Sequence, residues 1–252
     1  MITSAPVIWF DQIDSTNEEA RRRATQGQSG PLWIVARSQS GGRGRLGRHW
    51  ASPKGNLFAT ALLPAPGGVQ AALRVPFATA LAVSDVCLGV LPDQDVRLKW
   101  PNDIRVRGAK LCGILVEAGQ TNGAYWLAIG IGINVRSAPE GTGQTVTCLL
   151  QEGAGPELQA EDLMEALRPA LASRLKQAQL DFASTRQDWL GRAEGLGELV
   201  EAGPGGHRRQ GRFVGLAEDG GLRLEHPDGQ EEIIRAGEVE LIKEVRADAP
   251  GH

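Results

Sequence analysis

Three arginines alternate with three glycines in the segment Gly42-Arg43-Gly44-Arg45-Leu46-Gly47-Arg48, and His49 and Trp50 follow directly. Glycine takes positive φ without strain and lets a ligand approach the backbone, while each arginine offers a planar fork of donors matched to phosphate or carboxylate. The pattern predicts a loop that folds around an anion. It is neither of two common phosphate loops. A Walker loop needs lysine and then Ser or Thr after its last glycine, where this chain has Arg48 and His49. A dinucleotide fingerprint needs a helix opening at its second glycine and a ribose-binding acid about 20 residues on, a region where Pro64 stands instead. The anion is therefore held mainly by arginine side chains.

Gly130-Ile131-Gly132-Ile133-Asn134 is a second informative run. Side chains alternate along a strand, so Ile129, Ile131, Ile133 and Val135 share one face while Gly130, Gly132 and Asn134 share the other. Two glycines weaken a strand, and two readings account for them. A flat ligand lies on the bare face with Asn134 bonding its edge, or a helix packs closely over it. In Lys99-Trp100-Pro101-Asn102-Asp103 the Asp103 carboxylate suits Mg²⁺, a hard ion that takes oxygen ligands and shares them with substrate phosphates. A plain turn explains that tripeptide by itself. Lys110 opens the next strand, with Gly113 three residues on.

These groups need a scaffold, and the pattern predicts an α+β fold: a mixed, largely antiparallel sheet with helices packed on it. Thr16 is expected to cap a helix that continues through Ala20 and Ala24, with Glu19 completing a capping box. Leu32 to Ala36 reads as a buried strand leading into the arginine loop, and Asn56 to Leu63 as a strand leaving it. Val75 to Leu91 has the apolar spacing of a core helix. Asp95 to Trp100 is a strand that Pro101 must end, with Pro101-Asn102-Asp103 as a turn. Lys110 to Glu117 and Tyr125 to Val135 are further strands, and Glu161 to about Trp189 supplies one or two amphipathic helices. From Gly195 onward, short alternating segments separated by turns such as His226-Pro227-Asp228-Gly229 predict a small all-β barrel. The expected division is residues 1–192 and 193–252, with a frayed end over 247–252.

Composition narrows the function. A net charge of −3 disfavours a protein that coats nucleic acid, because such binding draws on summed phosphate neutralisation. Cys87, Cys112 and Cys148 are odd in number and widely spaced, as reduced core thiols are, and His49, His207, His226 and His252 lack metal-ligand spacing. The amino-terminal sequence has neither the basic start nor the apolar stretch of a secretory signal, and no run suits a membrane span. A soluble cytoplasmic protein is expected.

Asp14-Ser15-Thr16-Asn17, Gln39 with Gly42 to Trp50, Lys99 to Ile104, Lys110 to Glu117 and Gly130 to Asn134 occur in the order and at about the spacing of biotin protein ligases. The chain resembles that family strongly from Asp11 to Val135. Its carboxy-terminal part is similar in placement. The resemblance implies the catalytic fold shared with class II aminoacyl-tRNA synthetases, over residues 1–192. It implies ATP and biotin as substrates and Mg²⁺ as cofactor. It also implies two steps: biotin carboxylate attacks the α-phosphate to give biotinyl-5′-AMP, and a carrier-domain lysine then displaces AMP.

On the matching residues, Ser15, Thr16, Asn17 and Gln39 would contact the biotin head, and Gly42, Arg43, Gly44 and Arg45 would close over biotin and adenylate. Trp50, Gly113, Gly130 and Gly132 would line the pocket, and Asn134 would face adenine. Lys110, Arg45 and Arg48 would carry the catalysis and Asp103 the metal. The implied acceptor is the biotin carboxyl carrier domain of acetyl-CoA carboxylase or another biotin-dependent carboxylase. Ten residues precede Asp11, so the likeness is to the short form without a DNA-binding domain, and a homodimer follows by analogy. A lipoate–protein ligase shares the fold and adenylation chemistry but lacks the Gly-Arg-Gly-Arg loop. A non-enzymatic RNA-binding module is the alternative of a different class, disfavoured by the acidic balance.

Overall fold

The computed structural model describes residues 2–28, 30–65, 68, 72–141 and 143–242; the end expected to fray, 247–252, lies outside them. The chain divides into two compact units, Met1–Ala193 and Glu194–His252. Among the described residues, no helix is long and apolar enough to cross a membrane.

The first unit is built on a seven-stranded sheet. Its strands are β1 (Val7–Phe10), β2 (Leu32–Ala36), β3 (Leu57–Pro64), β4 (Val96–Lys99), β5 (Asp103–Val106), β6 (Ala109–Thr121) and β7 (Ala124–Ile133), in the spatial order β1-β2-β3-β7-β6-β5-β4. Among the described residues only β1 and β2 run parallel, joined through helix α1 (Thr16–Thr25); the remaining ladders are antiparallel. Helix α2 (Val75–Val90) is apolar nearly all round because it is buried between β4 to β6 and helices α3 (Ala160–Leu180) and α4 (Phe182–Leu190). On the face of the sheet that carries α1, Ala20 and Ala24 pack against Leu32, Ile34, Leu62, Trp126 and Ala128.

The β6–β7 hairpin turns at Asn122-Gly123, both at positive φ, as a two-residue turn between twisted strands requires. That turn fixes the register. Thr121 pairs with Ala124, and counting back along the ladder brings Gly113 opposite Gly132.

Three local expectations are corrected. The helix cap is Ser15, whose hydroxyl accepts from the Glu18 amide, so the helix begins one residue earlier and Thr16 is released for tertiary contacts. Asp103 does not belong to the turn after Pro101 but opens β5, a strand the sequence reading lacked together with β1. The third concerns the second unit, a five-stranded antiparallel sheet ordered β11-β10-β9-β8-β12. Its strands are β8 (Leu199–Gly203), β9 (Arg209–Leu216), β10 (Leu222–Glu225), β11 (Glu231–Ile234) and β12 (Glu238–Leu241). Among the described residues no ladder joins β11 to β12, so the expected barrel is an open sheet. The sheet is nevertheless strongly curled. Residues 235–237 carry the chain from one edge strand to the other, and so few residues span at most about 14 Å.

Candidate active site

The arginine loop is an ordered hairpin. Arg43 bridges to His49, the Gly44 amide donates to Arg48 O at 2.7 Å, and the Trp50 amide donates to Gly42 O at 2.9 Å. Gly42 has no room for a side chain, since a Cβ there would meet the Trp50 carbonyl and the Ser52 hydroxyl. At the tip Leu46 (φ 57) and Gly47 (φ 72) are left-handed, and Leu46 is 83% exposed. The arginines leave the hairpin in different directions. Arg43 pairs with Glu18 of α1 and with Glu117 of β6, while Arg45 Nη1 donates to Asn102 Oδ1 at 3.2 Å. Arg48 Nε donates to Arg45 O at 3.4 Å, bracing the turn.

Beneath the hairpin lies the glycine face of β6 and β7. It is not a bare floor. A Cβ on Gly132 would stand 2.7 Å from Trp50 Nε1, and one on Gly113 would stand 2.9 Å from Trp50 Cζ3, so the cross-strand glycine pair is the bed of the Trp50 indole. A Cβ on Gly130 would collide with the Asn17 side chain of α1. For Gly130 the close helix packing considered from sequence is therefore the observed reason, and for Gly132 it is a tryptophan carried by the loop. Both glycines act through the side chains they admit.

Lys110 reaches this face because of a β-bulge. Simple alternation would put it with Cys112 and Ile114, on the face opposite Gly113. The β5–β6 register shifts between Ile104 and Arg105, however, leaving Leu111 as the extra residue and pairing Lys110 with Arg105. Lys110 thus joins Asp103 and Gly113 on one face. Its Nζ lies 2.9 Å from Asp103 Oδ2 and 5.3 Å from the centre of the Trp50 ring, with only 9% of the residue exposed. The Asn102 amide and carbonyl both bond Ile114 and fix the turn that presents Asp103.

Among the described residues, three buried polar atoms in this neighbourhood have no hydrogen-bond partner: Trp50 Nε1, Asp103 Oδ1 and Asn134 Oδ1. Unsatisfied buried groups cost about 1–3 kcal/mol each, which is tolerable where a bound molecule would satisfy them. The Asn134 amide is oriented by donation from Nδ2 to Thr147 O at 3.0 Å. Among the described residues no group of three or more His, Cys, Asp or Glu is placed to hold a metal. Asp103 is a single carboxylate with one unpartnered oxygen, which suits a Mg²⁺ held chiefly by substrate phosphates and water.

Beside the glycines runs a buried polar chain. Gln39 Oε1 accepts from the Thr16 amide at 2.8 Å, and Gln39 Nε2 donates to Ser52 Oγ at 2.9 Å. Thr60 Oγ1 lies 2.8 Å from Thr16 Oγ1 and 2.7 Å from Asn17 Oδ1, and Asn17 Nδ2 donates to Glu117 Oε2 at 2.7 Å. Asn17 Oδ1 can only accept, so the Thr60 hydroxyl proton points to it. Ser15 is adjacent, but its hydroxyl caps α1.

The expected residues of the hairpin, α1, β6 and β7 thus converge on one face. Glu18, Ser52, Thr60, Asn102 and Glu117 join them without having been singled out. Thr60 carried a legible signal, a lone hydroxyl in the apolar run of β3, and Glu117 closes a motif already recognised. All three cysteines are free and buried, and burial pushes the Cys87 thiol up to about 12 and that of Cys112 well above its usual range, which disfavours the thiolate.

Residues 9–134 match the model of the biotin/lipoate A/B protein ligase family, and residues 191–242 that of the biotin protein ligase C-terminal domain. The chain is 40% identical over 237 residues to a biotin–[acetyl-CoA-carboxylase] ligase of Paracoccus denitrificans, covering 90% of this chain and 97% of that protein. It is 32% identical over 235 residues to the corresponding ligase of Mycobacterium tuberculosis, covering 90% and 86%. Among solved structures, the biotin protein ligase of Aquifex aeolicus in complex with biotin and ATP aligns with a TM-score of 0.78 at 29% identity, over 94% of this chain and 99% of that one.

Proposed function

The chain belongs to the biotin protein ligases, and from that premise we propose how its own residues carry the reaction. The activity is ATP-dependent: biotin is activated as biotinyl-5′-AMP and the biotinyl group passes to a lysine of a biotin carboxyl carrier protein. In the first step a biotin carboxylate oxygen bonds to the α-phosphorus as the bond to the β-phosphate oxygen breaks, releasing pyrophosphate. In the second, the lysine nitrogen attacks the acyl carbon, an amide forms, a proton is lost and AMP leaves.

Both reactants of the first step are anions, so its barrier is largely electrostatic and is lowered by fixed cations. Lys110 is the residue best suited to that task. The bulge aims it, Asp103 holds its ammonium, and the Trp50 face confines it where charge develops between carboxylate and α-phosphate. Arg45, positioned by Asn102, and Arg48 at the hairpin turn supply charge to the phosphates. Mg²⁺, when bound at Asp103, would neutralise polyphosphate charge.

The chain from Gln39 through Thr16, Thr60 and Asn17 offers a line of fixed donors and acceptors for the polar head of biotin, with Ser15 setting the helix start that places them. Arg43 to Arg45 cover the adenylate and exclude water that would hydrolyse the anhydride. Trp50 on Gly113 and Gly132 walls the pocket, and Asn134 presents its unpartnered oxygen to the adenine amino group.

The observation that carries this assignment is the convergence of Lys110, Trp50 and the arginine hairpin on the glycine face beside the Gln39 network. Pyrophosphate release from ATP, measured with biotin and with lipoate, tests it. Release with biotin alone is expected; release with lipoate alone points to the lipoate-handling branch, and release with neither points to a binding module.

A further inference from the structure

We propose that Glu18 and Glu117 form a carboxylate latch that holds the arginine hairpin down through Arg43, making them positioning residues for retention of the adenylate. The inference rests on the ligase reading of the site. Arg43 is the first arginine of the hairpin, flanked by Gly42 and Gly44, so the chain on either side contributes no side chain that would fix it. What fixes it is its guanidinium, which bonds both carboxylates through Nη2.

The two carboxylates come from separate elements and are themselves held. Glu18 sits in the first turn of α1, where its own amide is capped by Ser15 and its second oxygen takes Arg21 at 2.7 Å. Glu117 lies on β6 and takes Asn17 Nδ2 at 2.7 Å on one oxygen, leaving the other for Arg43. Both are largely shielded, with side-chain exposures of 18% and 31%. A loop arginine is thereby tied at one point to the helix and to the sheet that carry the Thr16, Asn17 and Thr60 network. Closure of the hairpin and order in the polar pocket are coupled through Asn17 and Glu117.

The test uses Glu18→Gln, Glu117→Gln and the double variant in the full chain. Glutamine is isosteric, and at position 117 its carbonyl can still accept from Asn17 while its amide no longer attracts Arg43. The substitution therefore removes charge and spares shape. Glu19→Gln is the control, because among the described residues Glu19 forms ion pairs with Arg22 and Arg23 of its own helix and none with the hairpin. Two readouts are needed: the rate of tryptic nicking after Arg43, Arg45 and Arg48, and the release rate of biotinyl-5′-AMP.

In the double variant both rates should rise roughly three- to tenfold, the range for losing two partly shielded ion pairs, while single-turnover adenylation at saturating biotin stays within about twofold. Glu19→Gln should match the wild type. Unchanged release and nicking in a folded double variant would overturn the latch, and so would loss of adenylation at saturating substrate, which would place the carboxylates in the chemistry. If the wild type forms no adenylate, the ligase reading itself is at fault; the nicking rates still decide whether the carboxylates hold the hairpin.

Discussion

Adding one methyl group at Gly132 should separate stability from ligand affinity, and the structure says through which side chain. The new Cβ of Gly132→Ala would stand 2.7 Å from Trp50 Nε1, 2.9 Å from Cε2 and 3.1 Å from Cζ2. Non-bonded carbons settle at about 3.5–4.0 Å, so the indole must retreat by roughly an ångström. Gly132 itself is paired on both sides, with Phe58 of β3 and Gly113 of β6, and alanine suits a strand no worse than glycine does. The strain therefore falls on Trp50 and on the hairpin that carries it. Overpacking of this kind costs about 1–3 kcal/mol, or about a five- to 150-fold loss of biotin affinity if the hairpin bears all of it. Calorimetric titration with biotin reads the affinity, and a thermal scan should find a melting temperature within a few degrees of wild type. A double-mutant cycle makes the argument refutable. In a Trp50→Ala background the methyl has nothing to strike, so Gly132→Ala should change affinity there by less than about twofold. An equal penalty in both backgrounds would mean that ligand touches the glycine directly and that the Trp50 reasoning is wrong.

Lys110→Ala should slow adenylation about a hundredfold or more, the loss typical when one transition-state donor is removed, and near wild-type single-turnover rates would remove Lys110 from the catalytic role. Arg45→Gly should raise the off-rate of biotinyl-5′-AMP more than it slows its formation, so bystander proteins become biotinylated; labelling at the wild-type level would show that Arg45 is no part of the lid. Away from the site, burial pushes the Asp85 carboxyl up, but its bonds to Arg174 and Arg192 outweigh this and leave its pKa below the usual 3.8. A depressed carboxylate contributes stability above its unfolded pKa and loses it as pH falls through the folded value, so Asp85→Asn should cost about 1–3 kcal/mol at pH 7 and progressively less below about pH 4. Urea titrations at pH 7 and pH 3 would read this, and a pH-independent difference would contradict the ion-pair account.

The parts of the fold legible in sequence were those dictated by local pattern. β2 is five buried residues bounded by turn formers, and α2 is a long apolar run that proline opens. β1 and β5, four residues each, are too short for periodicity to distinguish them from the turns beside them. The arginine hairpin stands out in the sequence because glycine and arginine in alternation favour a close backbone turn with anion-binding side chains. Its partners did not, because Glu18, Thr60 and Asn102 matter through contacts 25, 43 and 57 residues distant in sequence or more. Lys110 shows the limit most clearly. Strand alternation assigns it to the wrong face, and only the bulge at Leu111 brings it beside Asp103 and Trp50. The glycine face was recognised as significant, yet whether ligand, helix or indole covered it is a tertiary question that periodicity does not answer.

The most direct test of the central claim is the mass of a purified biotin carboxyl carrier domain after incubation with this protein, ATP and biotin. The account predicts one added biotinyl group on a single lysine, dependent on both small molecules and formed about a hundredfold or more slowly by Lys110→Ala. A carrier domain that keeps its mass under those conditions, or that gains a lipoyl group in preference when lipoate is supplied, would contradict it.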